Sequence, residues 1–155
     1  PEDKHGAVMR RALPFQNVVI QYSFKLDGAR GTTLSINDAK EHLCRVLINP
    51  AGFTVQKDDQ DHDGPNKVAV LQKVATPIKP GEWHTMVVEI LGQEMLATLD
   101  GQKTGYGAHE AIAGAKANLG FTVAGQSVSF KNLRVWEALP NKEWAATKAK
   151  IAAAK

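Results

Sequence analysis

The stretch Gly81–Lys103, GEWHTMVVEILGQEMLATLDGQK, decides the fold. Trp83–Leu91 is rich in β-branched and apolar residues, Gly92-Gln93 interrupts it, and Glu94–Leu99 resumes before Asp100-Gly101 turns the chain again. Apolar runs punctuated in this way read as two strands and two turns. A strand pair this apolar on both faces does not stand alone in water, so the sequence demands a sheet with a second layer packed over it.

Working outward, Val18, Ile20, Tyr22, Phe24 and Leu26 alternate with Val19, Gln21, Ser23 and Lys25 across Asn17–Leu26, which ends in Asp27-Gly28. That is the pattern of a strand with one buried face. Thr32–Ile36, His42–Ile48 and Phe53–Lys57 read as three more strands, separated by Asn37-Asp38 and by Asn49-Pro50-Ala51-Gly52, whose Pro and Gly suit a tight turn. After the acidic loop Asp58–Lys67 the apolar rhythm returns at Val68–Val74. Asn118–Ala124 and Ser127–Trp136 form a closing hairpin around Gly125-Gln126, with a bulge expected at Asn132, where the alternation slips. Pro1–Gln16 is polar, with a short extended piece at Ala7–Arg10 lying along an edge, and Gln102–Lys116 reads as a long loop with room for one short strand. Asn141 caps a C-terminal helix that runs from Lys142 to Lys155, with Trp144 and Ile151 on one stripe.

About ten short strands joined by Gly, Pro and Asn turns describe an all-β fold, an antiparallel β-sandwich or jelly roll, with a short C-terminal α-helix. The 155 residues suffice for one substantial core, which we place at residues 1–139, leaving 140–155 as a helical tail. The net charge of +3 arises from 19 basic and 16 acidic residues, and much of the excess lies in Lys142, Lys148, Lys150 and Lys155. No run interleaves aromatics with Lys or Arg, so nucleic acid is not an expected partner. No apolar run approaches the roughly 20 residues that cross a bilayer, so neither is a membrane. The lone Cys44 excludes an internal disulfide, and within HLCRVLI a thiol is a small buried hydrophobe. The chain opens at Pro1 without an initiator Met, so further residues are expected upstream of it.

The pairing of GEWHTMVVEILGQEMLATLDG with the closing GFTVAGQSVSFKNLRVWEAL resembles the concanavalin A-like, laminin G-like jelly rolls. More narrowly it is similar to the 3-keto-disaccharide hydrolase family, the family 16 glycoside hydrolase-like domains. Those domains join a Gly-x-Trp strand to an Asn-Gly or Asp-Gly turn and end on a V-x-F-(R/K)-N-(L/I)-R-(V/I) strand, which here is Val128–Val135. The resemblance spans most of residues 6–139 and implies cleavage of an oxidised bacterial glycoside, a carbohydrate partner and a secreted or periplasmic location. It places Arg45 as the counterpart of an Arg that follows the family's Asn-Ser-Gly strand. The family's Gln-Asp-His-Gly turn is replaced by Thr122-Val123-Ala124-Gly125, without its acid or its His.

Among residues able to carry chemistry, Asp59, Asp61 and Asp63 with Gly64 reproduce the Asp-x-Asp-x-Asp-Gly opening of calcium loops. Clustered carboxylates suit a hard cation such as Ca²⁺, and the Gly permits the turn that gathers them. The twelfth position falls on Val70, which excludes a full EF-hand, and a solvated acidic loop fits the same residues. His5, His42, His62, His84 and His109 form no ligand pair, and no nucleophile elbow is present. Glu89 is a lone acid in its strand, so the paired carboxylates of ordinary glycoside hydrolysis are missing. Of the aromatic platforms a sugar would need, Trp83 begins a core strand, whereas Trp136 alternates with Arg134 on an outward face. Trp136 is the better platform unless Trp144 of the terminal helix covers it. The carbohydrate-binding candidates are therefore Arg45, Arg134 and Trp136. Three readings remain open: a hydrolase-like enzyme acting on an oxidised glycoside, a non-catalytic glycan-binding module with a calcium-stabilised loop, and a structural sandwich that self-associates or joins flanking domains.

Overall fold

The computed structural model describes residues 6–61 and 63–153. His5, His62 and the C-terminal end of the expected helix lie outside them. Among the described residues the strands are β1 (Val8–Phe15), β2 (Val18–Asn37), β3 (His42–Asn49), β4 (Gly52–Lys57), β5 (Ala69–Ala75), β6 (His84–Leu91), β7 (Glu94–Leu99), β8 (Lys103–Ala108) and β9 (Lys116–Glu137). A 3₁₀ turn at Glu110–Ala113 precedes β9, and helix α1 (Trp144–Ala153) closes the chain. The Asn141 side chain accepts the Glu143 N–H at 2.9 Å, as expected of its cap.

Two long strands organise everything else. The first half of β2 pairs with β6 from Val18 to Phe24, and its second half pairs with β3 from Thr32 to Asn37. On its other side β9 follows β2 antiparallel from Asn118 to Glu137. Each of these strands thus belongs to both layers of the sandwich. One layer runs β5-β4-β3-β2-β9-β1 and the other β9-β2-β6-β7-β8. The fold is the expected antiparallel β-sandwich of jelly-roll type.

This corrects two expectations. Asn17–Leu26 and Thr32–Ile36 are one strand, and the residues around Gly125-Gln126 are the middle of β9 instead of a hairpin turn. The signals Asp27-Gly28 and Gly125 were those of a bend: the β2–β9 register shifts between Asp27 and Gly31. Gly28 and Gly125 sit there at φ +80° and +101°, and a Cβ on Gly125 would lie 2.9 Å from the Arg30 nitrogen. Glycine satisfies both the angle and the close approach, so the ladder turns a corner without breaking. The extended piece at Ala7–Arg10 is longer than expected, since β1 continues through Pro14 as an edge strand, where a missing N–H costs no ladder bond.

The core fills the space between the layers. Val18, Ile20, Tyr22, Phe24 and Leu26 meet Met86, Val88 and Ile90 of β6 and Leu34, Ile36, Val46 and Val55 of the opposite layer, each at most 1% exposed. Cys44 is buried among them, and burial is the main cause that pushes its thiol up to about 12. Inside the bend, Tyr22 packs edge-on to Phe121 with centroids 4.8 Å apart, and Phe121 meets Phe130 at 4.6 Å. Because Phe121 and Phe130 lie in different layers of the one strand β9, this cluster ties the layers together. The Tyr22 hydroxyl is buried there with no hydrogen-bond partner among the described residues, and burial raises its pKa.

An unpaired buried hydroxyl costs about 1 kcal/mol or more of desolvation, so Tyr22→Phe keeps the ring and removes the cost. Urea unfolding is expected to show Tyr22→Phe more stable than the parent by about 1 kcal/mol, with an unchanged m-value. A loss of stability would mean that the hydroxyl has a partner.

Candidate functional site

The outer face of the β5-β4-β3-β2-β9-β1 layer is set by register. Directly opposed residues run Arg10–Gly120–Ser35–Arg45–Gln56 across five strands. The neighbouring rows are Ala12–Asn118–Asn37–His42 and Val8–Thr122–Thr33–Leu47. Side chains of one parity share a face, so these rows form one polar surface. Gly120 and Ser35 are small and sit between two arginines. The result is a groove of about 310 Å³ whose lining includes Arg10, Ser35, Asn37, His42, Arg45, Gly120 and Thr122. A second polar hollow of about 300 Å³ continues it over Asp38–His42 and Asn118.

The groove is stiffened from below. Asn37 Nδ2 donates to Asn118 Oδ1 at 2.6 Å, which leaves the Asn37 Oδ1 to accept from His42 Nδ1 at 2.6 Å. That tautomer leaves the lone pair of the imidazole on Nε2. Burial first, and the Arg45 charge second, hold the His42 pKa below the ordinary histidine value, so the ring is neutral at pH 7. Arg45 is ion-paired through Nε to Asp58, which is 5% exposed, so its guanidinium is fixed in position.

Arg45 is therefore in the groove, but Arg134 and Trp136 are not. They oppose Gln21 and Val19 on the outer face of the other layer. Trp136 is 45% exposed and is not covered by Trp144, which packs instead on Tyr106 at 5.7 Å. Trp83 precedes β6 and is 42% exposed, a correction to its expected place in the core. Arg10, Ser35, Asn37, Asn118 and Gly120 were missed in the sequence because their proximity depends on pairing β1 and β2 with β9, about a hundred residues away, and His42 because a register shift after Ile36 brings it opposite Asn37.

Three carboxylates of the acidic loop accept backbone N–H groups within it. Asp58 Oδ1 accepts the Asp59 N–H at 3.0 Å, Asp59 Oδ1 the Asp61 N–H at 3.2 Å, and Asp61 Oδ2 the Asn66 N–H at 3.2 Å. Among the described residues no three His, Cys, Asp or Glu side chains gather as a metal group.

A smaller, mainly apolar pocket of about 140 Å³ lies beneath α1, lined by Val19, Glu89, Leu91, Glu94, Leu96 and Trp144 among others. Burial raises the Glu89 carboxyl. Burial also acts to raise Glu94, but hydrogen bonds from Lys148, Tyr106 and Trp144 outweigh it and hold that carboxyl low. The Lys148 and Trp144 bonds, at 2.5 and 2.6 Å, dock the helix on the sheet, and the Tyr106 bond, at 2.5 Å, ties β8 to β7. Glu94 is committed to that docking.

No protein-family model and no curated protein matches the chain. Solved structures do match in fold. The carbohydrate binding module CBM66 from Bacillus subtilis is 14% identical with a TM-score of 0.68, over 87% of this chain and 84% of that one. A tetrameric galectin from the ball sponge Cinachyrella is 10% identical with a TM-score of 0.66, over 84% of this chain and 99% of that one. A protein described as a glycosyl hydrolase from Parabacteroides distasonis is 12% identical with a TM-score of 0.63, over 87% and 85%. At these identities the likeness establishes the jelly-roll fold.

The low pKa of His42 has a consequence for stability. Unfolding exposes an ordinary histidine that takes up a proton near pH 6.5, whereas the folded ring resists protonation until lower pH. The contribution of His42 is present in full above about pH 6.5 and is lost as pH falls from there through the folded pKa. Urea unfolding across this range is expected to show a steeper fall for the parent than for His42→Gln. Parallel curves would show that the imidazole does not titrate as described.

Proposed function

We propose that this chain is a non-catalytic carbohydrate-binding module, with the glycan lying across the outer face of the β5-β4-β3-β2-β9-β1 layer. The observation that carries the reading is the row Arg10–Gly120–Ser35–Arg45, a trough of small residues walled by two guanidinium groups. Sugar hydroxyls need donors and acceptors together. Arginines and the amides of Asn37 and Asn118 donate, while the hydroxyl of Ser35 and the Nε2 of neutral His42 accept. Arg45, held by Asp58, and His42, held by Asn37, lose little freedom when a ligand arrives. The groove lining contains no Trp, Tyr or Phe, so orientation comes from hydrogen bonds. The names of the matching carbohydrate binding module and galectins agree with this class of ligand. Flanking domains or self-association would strengthen so shallow a site by avidity.

His42 favours a second reading of the same groove, the one implied by the resemblance to 3-keto-disaccharide hydrolases. A neutral imidazole can take the C2 proton beside a C3 ketone; the electron pair forms the C1=C2 bond, and the C1–O bond breaks with the aglycone protonated by water. Release of aglycone from a 3-keto glycoside, abolished in His42→Ala, would establish this reading in place of the first. Calcium at Asp59, Asp61 and Asp63 is likewise a proposal, resting on spacing alone: Ca²⁺ added after EDTA would raise the Tm of the parent and not that of Asp61→Ala.

The binding reading is tested by a glycan array followed by titration calorimetry on the glycan it returns. Arg10→Ala is expected to lower affinity about tenfold, the loss of a hydrogen bond from a charged donor, with Tm unchanged. Affinity unchanged from the parent in both Arg10→Ala and His42→Ala would remove the groove as the site.

A further inference from the structure

The outer face of the other layer presents a different surface. Among the described residues its edge is the second half of β9, which pairs only with β2. Asn132 sits there at φ +56°, an angle Asn tolerates better than most residues, and the register shifts between Gln21 and Ser23. The shift has a definite effect. Lys131 and Arg134 are three residues apart and would face opposite ways on a regular strand, but Lys131 opposes Ser23 and Arg134 opposes Gln21, both outward positions of β2. Trp136 opposes Val19 on the same face, and Lys25 stands next to Ser129.

Trp83 completes the strip. The Lys131 ammonium lies 3.8 Å from the centroid of its ring and that of Lys25 lies 5.4 Å away. Lys25 also pairs with Asp27 at 3.2 Å, and Ser129 donates to the same carboxylate. From Val19, beside Trp136, to Lys25, beside Trp83, the strand spans about 20 Å. Two half-exposed tryptophans thus bracket Lys25, Lys131 and Arg134, with Gln21 between them.

We infer that this strip is a second binding site, separate from the groove, for an acidic polysaccharide whose carboxylate or sulfate groups meet Lys25, Lys131 and Arg134 while sugar faces lie on Trp83 and Trp136. Charge complementarity selects the ligand, and the rings contact the C–H faces of sugars. Three cations over about 20 Å, tempered by Asp27 and by Glu89, which opposes Val19 in the row of Trp136, suit a polymer charged once per ring or two; a nucleic-acid strand carries a charge every 3.4 Å or so. Charges on an edge strand also prevent pairing with other chains. That role requires neither Lys25 on the neighbouring strand nor two tryptophans.

The test uses affinity electrophoresis and calorimetry of the whole chain with polygalacturonate for carboxylate, heparin for sulfate, dextran as a neutral polymer and oligo-dT as a phosphate polyanion. Binding of polygalacturonate or heparin is expected, weakening as salt rises. Lys131→Gln with Arg134→Gln lowers that affinity at least about tenfold and Trp83→Ala about fivefold. Arg10→Ala leaves it unchanged, so this site and the groove fail separately. Failure to bind either acidic polysaccharide, undiminished binding by the double variant, or oligo-dT binding as tight as that of both would overturn the inference.

Discussion

The whole structure depends on the continuous antiparallel pairing of β2 with β9 through a bend that both strands share. An isolated sheet of this composition would leave one apolar face in water. Here the same ladder leaves one layer and enters the other, so hydrogen bonding is kept while the faces close on each other. The bend needs an unusual backbone, supplied at Gly28 and Gly125, and a filling, supplied by Tyr22, Phe121 and Phe130. The candidate surfaces are consequences of that ladder. The groove uses the first half of β9 beside β2, and the cationic strip uses its second half beside β2.

Much of this was legible in the sequence where local chemistry decides. The β6–β7 pair, its Gly92 and Asp100-Gly101 turns, the alternation of Val18–Leu26 and the Asn141 cap all appear as read. The bulge at Asn132 is present, at the position where alternation slipped. The failures share one cause. Gly28 and Gly125 can end a strand or bend it, and only a long-range partner determines which; β2 and β9 provide that partner for each other. Trp83 reads as core from its neighbours, yet it precedes β6 and opens toward Lys25 and Lys131.

The site followed the same rule more severely. Arg45 was visible through family resemblance, but the residues that make it part of a groove come from β1, β2 and β9 and have no common motif. The pattern of small outward residues at Ser35 and Gly120 acquires meaning only once the two are known to be opposed. The outward face of Arg134 and Trp136 was legible from simple alternation on one strand, and Lys131 escaped because the bulge changes its parity. The Asp-x-Asp-x-Asp-Gly spacing is equally plain in sequence, and Asp59 and Asp61 of that motif each accept a backbone N–H of the loop.

The central claim is that ligand recognition belongs to the rows around Arg10, Ser35 and His42. Amide hydrogen exchange, with and without the glycan selected on an array, tests it most directly. Slower exchange is expected in β1, in the second half of β2 and in the first half of β9, with the β6–β7 pair unaffected. Slowing confined to β6, β7 and α1 would place the ligand in the pocket beneath the helix and rule out the groove.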